Sequence, residues 1–425
     1  MIGRVFVTLK AAAMPLVLIA GFGCDADARI RKPALRVTVA PAVSRDIIWG
    51  EQITLTPPDG GMGRYPRLVQ IKTAAHKGDL LLFYQTERTG GDFWMYRSND
   101  GGHHWGNPVK VNAASAAWNF ASCNVIQLQD GRLMMTMQRR ARNSNLGQDF
   151  YMDVRFSSDG GDRWTARQQV FQGANWEGRA IQVPHDANGD GIADIYLFFT
   201  QHVIPTTLPV AEASRVGDHG RAVAWIASYD GGKSWGDPNA ERFTGRIVHR
   251  NFLEGPGQTP TDQSGGGMPT PFLLPDNRVG FVAEEIEKKP SPLLIANDPG
   301  DWDWTGAAFQ GPWSSADYDG SQDDRIYPAA PENRWRIDTL EFGGAPYGTV
   351  LPDGRIAVST NSAKRIKVWV GDANGHAFHL QDLPFDAAKT LYSFIEPIGP
   401  HEVLVGAGPA DSGDSFIYLR RGTLQ

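Results

Sequence analysis

Apolar runs of strand length punctuate the chain at short intervals, among them Ala180 to Val183, Ile195 to Thr200 and Val279 to Ala283, with turn-forming residues beside them. Runs this short between turns predict strands rather than helices. Three segments sharpen the pattern into hairpins: Gln127 to Met137 (QLQDGRLMMTM), Leu273 to Ala283 (LLPDNRVGFVA) and Val350 to Thr360 (VLPDGRIAVST). In each, Asp-Gly or Asp-Asn separates two apolar stretches, and these residues tolerate the positive φ of a tight β-turn.

A second motif recurs between the hairpins. S-x-D-x-G-x-x-W stands at Ser98 to Trp105, Ser157 to Trp164 and Ser228 to Trp235, with a degraded copy at Ala296 to Trp302 (ANDPGDW) and a weaker trace at Gly371 to Phe378 (GDANGHAF). Starts at 98, 157, 228 and 296 imply one unit per roughly 60 to 70 residues, a blade-sized period. Hairpins and boxes together mark units near 66–105, 123–164, 177–235, 268–304, 344–380 and 393–425, with Leu35 to Leu55 available as the outer strand that closes a ring. Closure removes the exposed sheet edges of an open array. The expected fold is all-β, a six-bladed β-propeller. Ser and Asp in each box suit turn amides, Gly suits a backbone other residues avoid, and Trp suits packing between strands. The boxes are therefore expected to build the fold and leave the chemistry to other residues.

Composition agrees: the 425 residues include 48 Gly, 28 Pro and 13 Trp with only 21% charged, a profile of many turns around apolar strands. A formal net charge of −6 without a basic run sets nucleic acid aside as a main partner. Residues 1–28 read as a targeting segment, with Arg4 and Lys10 followed by an apolar run, Ala11 to Phe22, too short to span a bilayer. Residues 29–425 would then be one exported propeller, monomeric, in the periplasm, the medium or the cell envelope. Gly21-Phe22-Gly23-Cys24 resembles a lipobox, which would anchor the protein to a membrane through a lipid on Cys24. Ala26-Asp27-Ala28 resembles a cleavage site for release, and both routes stay open. Cys123, the second of the two cysteines, is expected to be a buried, inert thiol.

Beside the boxes, five segments carry a family likeness: Arg64-Tyr65-Pro66-Arg67-Leu68, Trp176-Glu177, Gly267-Met268-Pro269, Glu284-Glu285 and Ala345-Pro346-Tyr347. With the boxes, known there as Asp-box or BNR repeats, they resemble the sialidase superfamily of exo-acting glycosidases, and within it the exo-arabinanase family more closely. The resemblance runs over most of residues 60 to 380. It implies an exo-acting glycoside hydrolase on a plant or microbial oligosaccharide or polysaccharide, retaining and free of any catalytic cofactor.

Such hydrolysis uses two carboxyl groups across the scissile bond. The likeness points to Glu177, beside Trp176, and to one of the strand-ending pair Glu284 and Glu285. Strand alternation sends one of that pair toward the channel and the other away, and register favours Glu284. A planar guanidinium at Arg64 or Arg67, extended by Arg88, would hold the terminal sugar, with Trp176 and Met268 beside it. Trp94 and Trp118 are further stacking candidates.

The same segments carry a competing sialidase reading. Arg64-Tyr65-Pro66 resembles the Arg-Ile-Pro motif, and Tyr347 would be the nucleophile. Arg139, Arg140 and Arg325 are the motif-free candidates for the rest of a three-arginine clamp, so a neutral sugar ranks above sialic acid. A non-catalytic propeller binding carbohydrate or protein is the alternative of another class. A uronate lyase is a third, for which His103 and His104, inside a box turn, are poor candidates.

Asp186 to Asp194 (DANGDGIAD) matches the start of a calcium loop, D-x-N-x-D-G-x-x-D, between two apolar strands. Leu197 occupies the twelfth place, where such loops carry Glu. A structural calcium ion would rest on Asp186, Asn188, Asp190 and Asp194.

Overall fold

The alternating segments fold as strands. The computed structural model describes residues 43–425 apart from 45, 74–75, 88–89, 143–149, 174, 202–221, 237–245, 251–265, 286–291, 297–333, 337–343, 386–388 and 411–414. The expected targeting segment, with Cys24, lies outside the described residues, as do Arg88, Arg325 and the degraded box beyond Ala296.

Among the described residues the strands form six sheets. Blade 1 runs outward through Arg64–Gln70, Leu80–Gln85, Phe93–Ser98 and Val109–Asn112; blade 2 through Trp118–Gln127, Leu133–Ala141, Phe150–Ser157 and Gln168–Gln172. Blade 3 uses Asn175–Gln182, Ile195–Gln201, Ala222–Ser228 and Arg246–Arg250; blade 4 uses Gly266–Leu273, Val279–Glu285, Pro292–Ala296 and Arg334–Arg336. Blade 5 comprises Gly344–Val350, Ile356–Ser362, Arg365–Gly371 and His379–Gln381, edged by the short parallel strand Val43–Ser44. Blade 6 comprises Thr390–Gly399, Glu402–Pro409 and Ile417–Leu424, and takes its outer strand, Ile47–Leu55, from the start of the chain.

That last pairing, from Ile47 opposite Leu424 to Leu55 opposite Ile417, joins the two ends of the propeller, as expected of the 35–55 segment. Each innermost strand touches those of the two flanking blades, and the sixth meets the first. Apolar side chains fill the space between blades, with Tyr84, Phe198, Phe281, Trp369 and Phe394 fully buried. Cys123 is buried among them, and burial pushes its thiol up, away from reactivity.

The three boxes make one turn three times. Ser98 Oγ donates to Asp100 Oδ1 and accepts from Gly102 N, both at 2.8 Å; Ser157 with Asp159 and Gly161, and Ser228 with Asp230 and Gly232, repeat this. Trp164 and Trp235 close their turns by donating to the second glycine's carbonyl. Each box is also gripped from the preceding blade: Arg421 donates to Gly101 O, Arg97 to Gly160 O at 2.9 Å and Arg132 to Gly231 O at 2.9 Å. The weak trace at Gly371 to Phe378 keeps half of this arrangement, with Asp372 accepting from Asn374 N and His376 N, and Arg278 reaching Asn374 from blade 4. The boxes thus tie blades together as well as turning the chain.

Candidate active site

Every innermost strand breaks register with its neighbour at one matching place, between Arg64 and Arg67, Ala121 and Asn124, Trp176 and Arg179, Gly267 and Thr270, Gly344 and Tyr347, and Leu391 and Phe394, and blade 6 breaks again between Pro397 and Gly399. In each matching bulge one residue turns left-handed: Tyr65, Ser122, Glu177, Met268, Ala345 and Tyr392, with φ from 49° to 57°. Such a bulge re-aims the side chain it carries, at about 1 kcal/mol for a residue other than glycine. Because the device occurs in all six blades it belongs to the ring, and only the side chains distinguish one blade from the next. Among the six, Glu177 alone carries a charge.

The ring is filled at this level. Tyr65 stacks on Tyr392 with centroids 3.8 Å apart, and Tyr65, Met268 and Ala345 form one buried apolar cluster drawn from blades 1, 4 and 5. Glu177 and Glu284 flank that cluster and are only half-buried. Thr200 Oγ1 donates to Glu177 Oε2 at 3.2 Å and accepts from Met268 N at 2.8 Å. Glu284 Oε1 accepts from Ala345 N at 3.3 Å, so its carboxylate reaches the innermost strand of blade 5. Gly267 lies against both arms: a Cβ there would sit 3.3 Å from Thr200 Oγ1 and 4.0 Å from Glu284 Oε2. Burial, then the charge of Glu177 and, further down, that of Glu284, hold the Tyr65 phenol well above its ordinary value. The two carboxylates therefore lie around the same short segment, Gly267 and Met268. Of the strand-ending pair, Glu284 faces this cluster; the side chain of Glu285 lies outside what is described.

A second polar group lies along the same strands. The Tyr347 hydroxyl donates to Glu396 Oε1, and Thr349 Oγ1 donates to Glu396 Oε2 at 3.2 Å. The Arg179 guanidinium sits 4.5 Å from the centroid of the Tyr347 ring and that of Arg67 sits 5.3 Å from it. Burial, and then the neighbouring Arg67 charge, pull Arg179 down to about 9 against the opposing pull of Tyr347, Glu177 and Glu396. Burial raises Glu396, and the Tyr347 hydrogen bond resists that rise. Tyr347 itself is held well above its usual range, first by burial and then by the Glu396 charge.

The remaining expected residues fall less simply. Arg64 and Met268 are 2% and 3% exposed, and in this state neither presents a surface to a sugar. Arg67 is equally deep, and its NH1 donates to the carbonyls of Pro66, Ser393 and Tyr392 at 2.6, 3.2 and 3.3 Å. It braces blades 1 and 6 rather than reaching outward. Trp176 has one face covered by the Arg140 guanidinium, 3.1 Å from a ring centroid. Arg139 lies on the face of blade 2, paired with Asp153 and stacked on Trp118. Trp94 lies under Lys110 Nζ at 4.9 Å.

The expected calcium ligands do not gather. Asp186 accepts from Gly189 N and Gly191 N, each at 2.7 Å, and from Asp190 N at 3.1 Å. Buried Asp194 is bonded to His185 Nδ1 at 2.7 Å, and Asp190 accepts from Ile192 N at 2.8 Å. Among the described residues no group of three His, Cys, Asp or Glu side chains could hold a metal ion. The donors form a turn held by its own amides.

No family model matches the chain, and no curated protein matches it in sequence. Solved structures do share its fold. A protein of unknown function from Dyadobacter fermentans gives a TM-score of 0.60 at 12% identity, over 90% of this chain and 100% of that one. The GH93 α-L-arabinofuranosidase of Fusarium graminearum, in complex with arabinobiose, gives 0.60 at 15% identity, over 88% and 98%. The NanB sialidase of Streptococcus pneumoniae gives 0.53 at 11% identity, over 86% and 70%. The chain has the propeller fold of these glycoside hydrolases, and at such identities the likeness is one of fold alone.

Two residues of the site escaped the sequence reading. Arg179 occupies, two places past Glu177, the position that Arg67 holds past Tyr65; laying the innermost strands over one another would have found it. Glu396 is a lone acid inside the apolar run Phe394-Ile395-Glu396-Pro397, half-buried in its strand, and an acid interrupting such a run is the signal that was there to be used.

Proposed function

We propose that this chain is an exo-acting glycoside hydrolase whose carboxyl pair is Glu177 and Glu284. The observation that carries the reading is their meeting on either side of Gly267 and Met268, one tied to Thr200 and the other to Ala345 N. One carboxyl, protonated, would assist the leaving group; the other, ionised, would meet the positive charge that develops on the sugar. The fold shared with a glycosidase solved with arabinobiose supports a saccharide substrate, and an arabinose-terminated oligosaccharide is the first to test. The reading places the mature protein outside the cytoplasm on the strength of residues 1–28.

A second reading rests on its own observation. The Tyr347–Glu396 hydrogen bond beside Arg179 is the pairing a tyrosine nucleophile would use, with Glu396 drawing off the phenol proton as attack proceeds. Screening the protein against aryl glycosides, sialyl-lactose and plant oligosaccharides separates the two. In the first reading, Glu177→Gln abolishes turnover at an unchanged Tm while Tyr347→Phe keeps most of it; in the second, Tyr347→Phe is inactive on the sialoside. Full turnover in both Glu177→Gln and Glu284→Gln would remove the carboxyl pair from the mechanism. Saccharide binding with no turnover anywhere would make the chain a binding module.

A further inference from the structure

Away from the channel, the face of blade 2 holds a cavity of about 560 Å³ lined by Arg139, Asp153, Arg155, Ala166, Arg167 and Gln169. Its charges do not balance. Asp153, 1% exposed, is matched to Arg139 through contacts of 2.6 Å to Nε and 3.2 Å to NH2, and lies 3.8 Å from Arg167 Nε. Among the described residues Arg155 has only neutral acceptors: Thr165 O at 2.7 Å, Val111 O at 2.8 Å, Trp164 O at 3.1 Å and Asn112 Oδ1 at 3.4 Å. Arg167 shares Asn112 Oδ1 at 3.5 Å and lies over the Phe120 ring. One buried carboxylate therefore faces two of three guanidinium groups, closely only Arg139, and the Arg155 and Arg167 charges stand side by side over Asn112 Oδ1.

Burial, then the charge of Arg167, lower the Arg155 guanidinium from its ordinary value. An anion in the cavity would relieve that repulsion: Arg155 keeps one of its five N–H donors beyond the four already bonded, and the partly exposed Arg167 brings a second guanidinium. The volume lies in the range of small-molecule sites and admits far more than a bare ion. Its lining residues are charged or polar apart from Ala166, with the aliphatic arms of the arginines adding apolar surface, which favours a polar ligand. A hydroxyl-rich body bearing one negative charge satisfies both the volume and the lining.

We propose that this groove is an accessory binding site for an acidic sugar residue, a uronate, held through its carboxylate by Arg155 and Arg167 and through its hydroxyls by Gln169 and Arg139. The site is independent of the channel and does not rest on the hydrolase reading.

The test is calorimetric titration of the Glu177→Gln protein with digalacturonate, galactobiose, sodium sulfate and a short acidic peptide. Digalacturonate should bind, weaken as salt rises and weaken about ten-fold in Arg167→Met, whose side chain is 40% exposed and can be exchanged without disturbing the core. Arg155→Met should weaken binding further if it folds; if it does not, Arg167→Met alone decides. Equal binding of galactobiose, unchanged affinity in Arg167→Met, tighter binding of the peptide, or binding of sulfate without the sugar would each overturn the proposal. Because the titration is done on a protein disabled at Glu177, its result stands whether or not the channel is catalytic.

Discussion

Replacing Tyr347 with Phe removes one hydroxyl and leaves the ring, and with it the Arg179 contact at 4.5 Å. What is lost is the hydrogen bond to Glu396. A hydrogen bond to a charged group contributes about 1.5 to 3 kcal/mol, and Thr349, at 3.2 Å, remains as a donor, so a cost of about 2 kcal/mol is expected at neutral pH. For a domain of this size that corresponds to about 2 to 3 °C in Tm. The cost should depend on pH in a definite direction. Glu396 has a folded pKa raised by burial; its contribution to stability is therefore full below its unfolded value of about 4.3 and is lost as pH rises through the folded value. Without the phenol the folded value climbs further, and more stability is lost on the way to neutrality. Thermal unfolding followed by circular dichroism at pH 4, 6 and 8 should show the two proteins close together in acid and diverging above it. A gap that is constant with pH, or that widens toward acid, would refute the coupling between Tyr347 and Glu396.

Three further outcomes follow from the geometry. Gly344→Ala places a Cβ 2.6 Å from Glu284 Oε1, so the carboxylate must retreat by about 0.8 Å to reach ordinary contact; a misplacement of about 1 Å costs on the order of 10²-fold in rate, and kcat should fall with little change in Tm, an unchanged kcat counting against Glu284. Asp159→Ala should cost about 1 kcal/mol at pH 7, and because the Arg163 amide and the Ser157 hydroxyl hold this carboxyl below the usual range, the deficit should shrink in denaturation curves as pH falls through its folded value. Chelation with EGTA should leave Tm unchanged, since the Asp186 to Asp194 turn is held by its own amides; a drop of several degrees restored by calcium would reinstate the ion.

Local chemistry made the ring legible. An Asp-Gly or Asp-Asn turn announces a hairpin through two residues, and a box announces its turn through four, so the units near 66–105, 123–164 and 177–235 capture three strands of each blade and stop short of the outermost, Val109–Asn112, Gln168–Gln172 and Arg246–Arg250. Blade 4 lost its box to substitution yet keeps the turn around Asn277, φ 70°, which is why it could still be counted. The six bulges were invisible for the opposite reason: Tyr65, Ser122, Glu177, Met268, Ala345 and Tyr392 hold the left-handed position, and none is the glycine that would have flagged it. Counting alternation puts Glu284 and Glu285 on opposite faces of their strand, but which face the neighbouring blade covers is not written in that strand. The burial of Arg67 and Arg179 and the meeting of Tyr347 with Glu396 depend on which blades face one another around the axis. That is a property of the closed ring, and no window of sequence contains it.

The filled ring bears on how any saccharide could be handled. Tyr65, Met268 and Ala345 meet from blades 1, 4 and 5, and Arg67 and Arg179 converge on Tyr347 from blades 1 and 3. Glu177 and Glu284 lie at the margin of that packing, each only half-buried, so in the proposed reading a sugar would reach the pair from solvent. The same backbone bulge, repeated six times, gives each blade one side chain to offer at the axis, and in five blades the offer is apolar or uncharged. The charge asymmetry of the site therefore arises from a few substitutions on a symmetric scaffold: a glutamate in the third bulge, a second at the end of the paired strand of blade 4, and arginines just beyond the bulges of blades 1 and 3.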